Sequence, residues 1–288
     1  MSILQTVSSD RTLVMGILNV TPDSFSDGGE HATVETAVAH AQKMLADGAD
    51  IIDVGGESTR PGATRVSVAE EQRRILPVIE RLAQQGVVMS VDTLNAETAR
   101  AAIAAGAHII NDVSGMNLTD DMIAAAAELD VPYILMHARG NSQTMDAAAT
   151  YANTVDEVIA ELKFLIERLK RGGVREENII LDPGLGFAKT GAQDWELIAG
   201  LDRLQALGYP VLVAGSRKRF VANLLRNEDR RRSETEPELR DAAGRDAATA
   251  AISTISALGG AWAVRVHDVA STADSIAVAS AVKTAGAR

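Results

Sequence analysis

Apolar and polar positions alternate along this chain in blocks that predict strands and helices in turn. Short apolar runs rich in Val, Ile and Leu, each followed by a polar loop, are typical of buried strands. Apolar residues between these runs recur at helical spacing, as Val34, Val38, Ala41 and Leu45 do. Eight strands are predicted, at residues 15–19, 49–55, 87–93, 108–115, 131–137, 179–182, 210–216 and 262–268.

Several helix boundaries carry their own signals. Ser67 and Glu70 have the spacing of a capping box ahead of a helix, and Pro77 predicts a kink inside that helix. Further helices are predicted at about residues 119–129, 153–171, 247–258 and 272–284. Because the alternation is complete and ends in a helix, it predicts one α/β domain over residues 1–288, a single (β/α)8 TIM barrel. An open, doubly wound sheet is the alternative.

One charged segment interrupts this alternation. Residues 226–240 contain three consecutive arginines and several glutamates ahead of the helix predicted at 247–258. A run of this kind is typical of a solvated surface. We therefore predict a mobile charged loop at residues 226–240.

Composition narrows the compartment and the partners. The chain has no cysteine, which excludes disulfides, thiolate zinc sites and a cysteine nucleophile. Its net charge of −11 opposes binding to nucleic acid or to an anionic membrane. The first residues lack the charge and apolar run of a signal peptide, and no apolar stretch is long enough to span a membrane. We expect a cytoplasmic protein that binds small molecules.

Polar side chains recur where the predicted strands end. In a barrel these ends converge on one face, where the loops build a site. Taken alone, Asp53 is explained as a cap of the next loop and His137 as a core histidine with satisfied hydrogen bonds. A whole ring of buried polar groups without a ligand is harder to explain, because desolvating them costs several kcal/mol. The ring comprises Asn19, Asp53, Asp92, Asn111, His137, Asp182, Ser216, Arg265 and His267.

One subset of polar residues suits a flat nitrogen heterocycle. Asp92, Asn111, Asp182 and Lys218 offer carboxylates, an amide and an ammonium. Such a set can hydrogen-bond the alternating donors and acceptors at the edge of a heterocycle.

A second subset suits a phosphate or a diphosphate. Arg60, Arg265 and His267 offer cations, and the amide oxygen of Asn19 suits a hard metal ion such as Mg2+. No covalent nucleophile is indicated, since Ser216 lacks the pattern of a nucleophile elbow and has no histidine close by in sequence. Together the two subsets predict a heterocycle joined to a diphosphate as the substrate.

Six motifs, in order and along essentially the whole chain, resemble those of the bacterial dihydropteroate synthases. They lie at residues 19–29, 53–62, 111–115, 182–189, 216–218 and 265–268. The resemblance implies a transferase of folate biosynthesis that joins 6-hydroxymethyl-7,8-dihydropterin diphosphate to p-aminobenzoate, with Mg2+. It also implies a homodimer built through the late helices, and a sulfonamide target.

The resemblance further implies roles for individual residues. The residues implied to bind the pterin are Asp92, Asn111, Asp182 and Lys218. Those implied to bind the diphosphate are Asn19, Thr59, Arg60, Arg265 and His267, with Asn19 also the metal ligand. Those implied to form the p-aminobenzoate pocket are Arg60, Pro61, Phe187, Lys189 and Ser216.

The implied catalytic residues are Phe25, Asp27 and Lys218. Phe25 and Asp27 lie in the loop at residues 21–29, which the resemblance implies closes over the site and whose glycines suit such motion. Asp27 is expected to stabilise a transient cation and to orient the amine.

Two other kinds of barrel share parts of this pattern. A pterin-binding module without this chemistry, such as the methyltetrahydrofolate-binding barrel of cobalamin-dependent methyltransferases, needs the pterin residues but not Arg60 or the pair of Arg265 and His267. A phosphosugar-type barrel enzyme accounts for the cations but not for the set of Asp92, Asn111 and Asp182.

Overall fold

Eight parallel strands and ten α-helices occur in the part of the chain that the structure describes. The computed structural model describes residues 10–21, 29–57, 65–140, 143–232 and 236–286, with the backbone alone for residues 29–33. The strands are β1 (Leu13–Asn19), β2 (Ile51–Gly55), β3 (Met89–Asp92), β4 (Ile109–Asp112), β5 (Tyr133–Met136), β6 (Ile179–Asp182), β7 (Leu212–Val213) and β8 (Ala263–Val266). The helices are α1 (Gly29–Ala46), α2 (Val68–Ala83), α3 (Ala96–Ala104), α4 (Asp120–Leu129), α5 (Thr154–Arg171), α6 (Gly191–Ala199), α7 (Leu201–Gln205), α8 (Arg219–Arg230), α9 (Asp246–Leu258) and α10 (Val269–Gly286).

The strands close into a barrel. Their order is β6-β5-β4-β3-β2-β1-β8-β7, and each neighbouring pair is parallel. The two edge strands meet through a parallel bridge between Leu181 and Val211, beside a 2.9 Å hydrogen bond from the Leu181 amide to the Pro210 carbonyl. The predicted (β/α)8 barrel is therefore confirmed.

The apolar core has an inner and an outer part. The outer part packs the strands against the surrounding helices, with residues such as Ile52, Ile75 and Leu162. The inner part fills the barrel near the start of the strands with Leu13, Met15, Ile51, Ile109, Ile134, Ile180, Leu212 and Ala263. Since side chains alternate along a strand, the residue two positions after each of these also faces inward. Asp53, Asn111, Asp182 and Arg265 occupy such positions, nearer the carboxyl ends.

The start of α2 follows the predicted cap in part. The Ser67 hydroxyl accepts a hydrogen bond from the Glu70 amide at 3.2 Å, as an N-cap does. The Glu70 carboxylate binds Arg73 and Arg74 instead of the cap backbone, so the reciprocal half of the predicted capping box is not formed. Pro77 lies inside this continuous helix, and the kink predicted there stays a prediction.

The charged segment corrects one prediction. Residues 226–230 continue α8, so the loop predicted for 226–240 is wrong for this part. The helix persists because Phe220 and Val221 are buried on its inner face and Leu225, one turn later, packs against the core. Arg240 binds Asp229 at 2.5 and 2.7 Å, which ties the following residues to the helix. Among the described residues, no helix is long and apolar enough to span a membrane.

Candidate active site

The carboxyl ends of the first four strands lie at one level. Asn19 pairs with Gly55, Gly55 with Asp92, and Asp92 with Asn111 along adjacent strands. All these residues lie on the inward phase of their strands. The structure therefore brings three predicted site residues, Asn19, Asp92 and Asn111, to the same rim of the barrel.

A buried carboxylate, Asp53, lies just beneath this rim. It accepts hydrogen bonds from the Ser90 hydroxyl at 2.5 Å, from Asn111 Nδ2 at 3.2 and 3.3 Å, and from Arg265 Nε at 2.6 Å. The side-chain nitrogen of Asn111 is used here, and its side-chain oxygen Oδ1 makes no hydrogen bond within the described part of the chain. Asp53 thus sets which atom of Asn111 remains to accept a hydrogen bond from a ligand.

Arg265 bridges two carboxylates at the centre of the barrel. Its Nε binds Asp53, and its Nη2 binds Asp92 at 2.7 Å. Burial alone lowers the pKa of Arg265, but the two carboxylates outweigh it and hold that pKa above its ordinary value. Burial raises the pKa of Asp92, and the charge of Asp53 adds to this effect while Arg265 opposes it. Arg265, which is predicted to bind the diphosphate, and Asp92, which is predicted to bind the pterin, are therefore already in contact.

Asp182 and Lys218 form the opposite side of the site. Asp182 accepts a 2.7 Å hydrogen bond from the Gly184 amide, and Lys218 Nζ donates to the Leu185 carbonyl. The same Nζ lies 4.6 Å from the centre of the Phe187 ring, within the range of a cation–π contact. Burial lowers the pKa of Lys218 to about 8, although the charge of Asp182 opposes the shift. The ammonium is thus placed between a pterin residue and an aromatic wall.

Ser216 and His267 meet at the ends of β7 and β8. The Ser216 Oγ lies 3.0 Å from His267 Nδ1 and accepts a 3.2 Å hydrogen bond from the His267 amide. They are 51 residues apart in sequence, which explains why sequence spacing did not show the contact. The hydroxyl is held in place by this pair and lies beside a predicted diphosphate residue.

His137 does not belong to the predicted ring of inward side chains. Ile134 lies in the inner core, so alternation places His137 on the outer phase of β5. There its Nε2 lies 2.8 Å from Glu161 of α5, and its Nδ1 lies 3.0 Å from Lys189 Nζ. Lys189 is also buried and donates to the Phe187 carbonyl at 2.9 Å. Its ammonium is therefore turned to the protein, whereas a direct place in the p-aminobenzoate pocket was predicted.

Several predicted residues lie outside the described part of the chain. These residues are Phe25, Asp27, Thr59, Arg60 and Pro61. The predicted closing loop at 21–29 is likewise outside it, apart from Thr21 and the backbone of Gly29.

One residue of the rim suits the predicted metal. Among the described residues, no group of three or more His, Cys, Asp or Glu side chains is placed to hold a metal ion. Asn19 is half-buried at the end of β1, and its side-chain amide makes no hydrogen bond to another described residue. A single neutral oxygen fits Mg2+, which commonly takes most of its ligands from phosphate and water.

Comparisons with known proteins decide the family. The sequence matches the pterin binding enzyme family over residues 15–267. It is 45% identical over 274 residues to the dihydropteroate synthase of Mycobacterium leprae, which covers 95% of this chain and 94% of that protein. The chain belongs to the dihydropteroate synthase family. A second relative, the dihydropteroate synthase of Streptococcus pyogenes serotype M6, is 44% identical over 281 residues and covers 97% of this chain and 99% of that protein.

Solved structures of dihydropteroate synthases share the fold. That of Xanthomonas albilineans with 4-aminobenzoic acid has a TM-score of 0.85, is 45% identical, and covers 95% of this chain and 94% of that chain. The same enzyme in complex with 7,8-dihydropteroate gives a TM-score of 0.82 at 42% identity over 95% of this chain and 94% of that chain. These relatives confirm the predicted family, and with it the prediction of a transferase enzyme.

Two acidic residues beside the site, Glu161 and Asp194, were not predicted. Glu161 contacts His137, and Asp194 accepts a 2.6 Å hydrogen bond from the Gly186 amide. Both lie on helices, where no motif of a dihydropteroate synthase marked them in the sequence. Asp53 belonged to the predicted ring, but its role as the partner of Asn111 and Arg265 was not predicted.

Proposed function

We propose that this chain condenses 6-hydroxymethyl-7,8-dihydropterin diphosphate with p-aminobenzoate to give 7,8-dihydropteroate and diphosphate. The observation that carries the proposal is the set of buried Asp92, Asn111 and Asp182 with the half-buried Lys218 around the barrel mouth. Solved relatives that contain 4-aminobenzoic acid and 7,8-dihydropteroate support this substrate and this product.

The pterin lies across the barrel mouth with its edge against this set. The Asp92 and Asp182 carboxylates and the Asn111 oxygen accept from ring and exocyclic N–H groups. Lys218 donates to an acceptor atom of the ring. Because Asp53, Gly184 and Leu185 already hold these side chains, little ordering remains to be done on binding.

The diphosphate points toward the ends of β1 and β8. His267 and Arg265 lie there among the described residues, and Thr59 and Arg60 are predicted to join them. Asn19 would hold Mg2+ at this end. When bound, the ion would supply positive charge that stabilises the departing diphosphate.

The reaction exchanges one bond at the pterin methylene for another. The C–O bond to the diphosphate breaks, and its electron pair leaves with the diphosphate. The lone pair of the aromatic amine forms the new C–N bond, and the amine nitrogen then loses a proton. Placement matters more than activation for such a weakly basic amine. The predicted roles of Phe25 and Asp27 are to close over the site and to stabilise the transient cation.

The p-aminobenzoate binds beside the pterin methylene, against Phe187 and Ser216. The cation–π contact between Lys218 and the Phe187 ring supports this position, because it places the aromatic wall next to a pterin residue. Arg60 and Pro61 are proposed to complete the pocket.

A homodimer through α9 and α10 is part of the proposal. Ile255, Leu258, Val278 and Val282 of these two helices are exposed apolar side chains. A second copy of the chain would cover them. Sedimentation of the protein tests this point, since a monomer at micromolar concentration would contradict it.

The test of the proposed reaction is a coupling assay with both substrates and Mg2+. Wild type should form 7,8-dihydropteroate, and Lys218→Ala should lose most of this activity while staying folded. Lys163→Ala, an exposed lysine of α5, is the matched control and should keep wild-type activity. Pterin binding by folded wild type without any product would instead favour the non-catalytic pterin barrel.

A further inference from the structure

The loop between β6 and α6, residues 183–190, has a backbone that needs support from its surroundings. Gly184, Gly186 and Ala188 have φ values of +69°, +74° and +51°. For Ala188 this conformation costs about 1–2 kcal/mol. An added Cβ at Gly184 would lie 1.7 Å from the His137 carbonyl oxygen, so the loop lies directly on the end of β5. Strained backbone of this kind persists only where neighbouring groups hold it.

A chain of hydrogen bonds, buried at His137 and Lys189, reaches this loop from α5. Glu161 lies 2.8 Å from His137 Nε2, and Lys189 Nζ lies 3.0 Å from His137 Nδ1. Burial opposes ionisation of Glu161, but hydrogen bonds from His137 and Arg139 outweigh it and lower the pKa of Glu161 to about 2. Burial and the charge of Lys189 lower the pKa of His137 to about 4, so the imidazole is neutral near pH 7.

These partners fix the tautomer of His137. A carboxylate only accepts, so His137 donates its Nε2–H to Glu161. The Nδ1 lone pair therefore faces the ammonium of Lys189 and accepts from it. His137 thus acts as an oriented acceptor, and Glu161 keeps it in that orientation.

Lys189 connects His137 to the backbone of Phe187, beside the proposed p-aminobenzoate pocket. Its ammonium also donates to the Phe187 carbonyl at 2.9 Å, which closes the loop back on itself. The Phe187 ring then lies 4.6 Å from Lys218 Nζ, where the two proposed substrate sites adjoin. A second support, the 3.1 Å hydrogen bond from the Tyr151 hydroxyl to the Ala188 carbonyl, holds the strained residue between them.

We propose that His137 is a positioning residue for p-aminobenzoate, acting through Lys189 on the backbone of Phe187. His137 touches neither substrate. Its effect falls mainly on the second substrate, because Lys189 binds the carbonyl of Phe187 itself, whereas Asp92 and Asn111 are held from outside the loop by Arg265 and Asp53. The inference rests on the proposed place of p-aminobenzoate beside Phe187.

Two substitutions of His137 separate its two nitrogens. His137→Asn keeps an acceptor at the position of Nδ1, facing Lys189, and His137→Gln keeps a donor at the position of Nε2, facing Glu161. His137→Gln should raise the KM for p-aminobenzoate about five- to tenfold, because the hydrogen bond between Lys189 and His137 Nδ1 is lost. In His137→Gln the KM for the pterin diphosphate should change less than about twofold. His137→Asn, which keeps the acceptor for Lys189, should have a p-aminobenzoate KM within about twofold of wild type.

Lys189→Met, which removes the ammonium and keeps the length of the side chain, completes the test. It should reproduce the effect of His137→Gln, and the double variant should be no worse than either single variant. Effects that multiply in the double variant, or equal changes in the two KM values, would each overturn the proposal. So would a p-aminobenzoate KM that is raised as much in His137→Asn as in His137→Gln. If His137→Gln does not fold, Lys189→Met and His137→Asn carry the same comparison.

Phe187→Ala separates this inference from the proposed substrate position. A raised p-aminobenzoate KM in Phe187→Ala, with none in His137→Gln, overturns the role of His137 alone. An unchanged p-aminobenzoate KM in Phe187→Ala overturns the position of the substrate, and the role of His137 with it.

Discussion

Replacing Asp53 with asparagine is expected to disorganise the pterin end of the site without removing any group that touches the substrate. Asp53 is buried and accepts from three donors, of which Arg265 Nε at 2.6 Å is the charged one. Asparagine keeps one acceptor, but its amide nitrogen must face a donor of Arg265, Ser90 or Asn111. A hydrogen bond to a charged group is worth about 1.5–3 kcal/mol, and Arg265 keeps its second partner, Asp92. We expect a loss of about 2–3 kcal/mol, equivalent to about 30- to 150-fold in kcat/KM for the pterin diphosphate.

The assay varies the pterin diphosphate at saturating p-aminobenzoate, alongside urea unfolding to verify the fold. Ser90→Ala is the control, because it removes from Asp53 one hydrogen bond with an uncharged donor and leaves every charge in place. It should cost about 1.5 kcal/mol, the low end for a hydrogen bond to a charged group and less than Asp53→Asn. If Asp53→Asn stays within threefold of wild type, or equals Ser90→Ala, the buried carboxylate does not organise the site and the reasoning fails.

Three further predictions follow from the same geometry. Burial lowers the pKa of His137 from 6.5 to about 4. Between these two values the histidine is protonated in the unfolded chain but neutral in the folded chain, so a falling pH favours the unfolded state. Wild type should thus lose about 2 kcal/mol of unfolding free energy between pH 7.5 and 5 that His137→Gln does not lose, and equal losses in urea unfolding would contradict this. Asn19→Ala should raise the Mg2+ concentration needed for half-maximal turnover without changing the KM for p-aminobenzoate, and an unchanged Mg2+ titration would remove Asn19 as a ligand. Ser216→Ala should cost about 1 kcal/mol in kcat/KM for p-aminobenzoate, measured by steady-state kinetics, and an equal loss for the pterin diphosphate would argue against its place in the amine pocket.

The fold was predictable where hydrophobic period and caps agreed. The helix after Thr119 begins as predicted, because that side chain accepts from the Met122 amide at 3.2 Å. The seventh strand was predicted too long, since only Leu212–Val213 form the ladder before the chain turns at residues 215–218. Helices α6, α7 and α8 were not predicted individually. They are short, with 9, 5 and 12 residues, and their buried faces form only against neighbouring elements, so the spacing of apolar residues gave a weak signal.

The membership of the site was easier to predict than its contacts. Strand ends in a parallel barrel meet wherever they lie in sequence, so Asp92, Asn111 and Asp182 could be grouped without a structure. The partners of Arg265 within the predicted ring could not be predicted, because the convergence of strand ends does not fix which side chains bind each other. For His137 the position at a strand end was right, but the phase of β5 was not considered, and a one-residue step moves a side chain to the other face of the sheet.

The charge balance around Arg265 explains why the diphosphate end needs more cations than the barrel centre supplies. Arg265 is ion-paired with both Asp53 and Asp92, so its positive charge is already offset inside the site, although burial raises the pKa of Asp92. The trio therefore offers a diphosphate no net positive charge, and the attraction has to come from His267, from the predicted Arg60 and from Mg2+. The same two carboxylates hold the guanidinium in one place, so its side-chain entropy is lost on folding and not on binding. Arg265 is thereby suited to orient a phosphate oxygen, whereas the net attraction for the diphosphate has to come from the other cations.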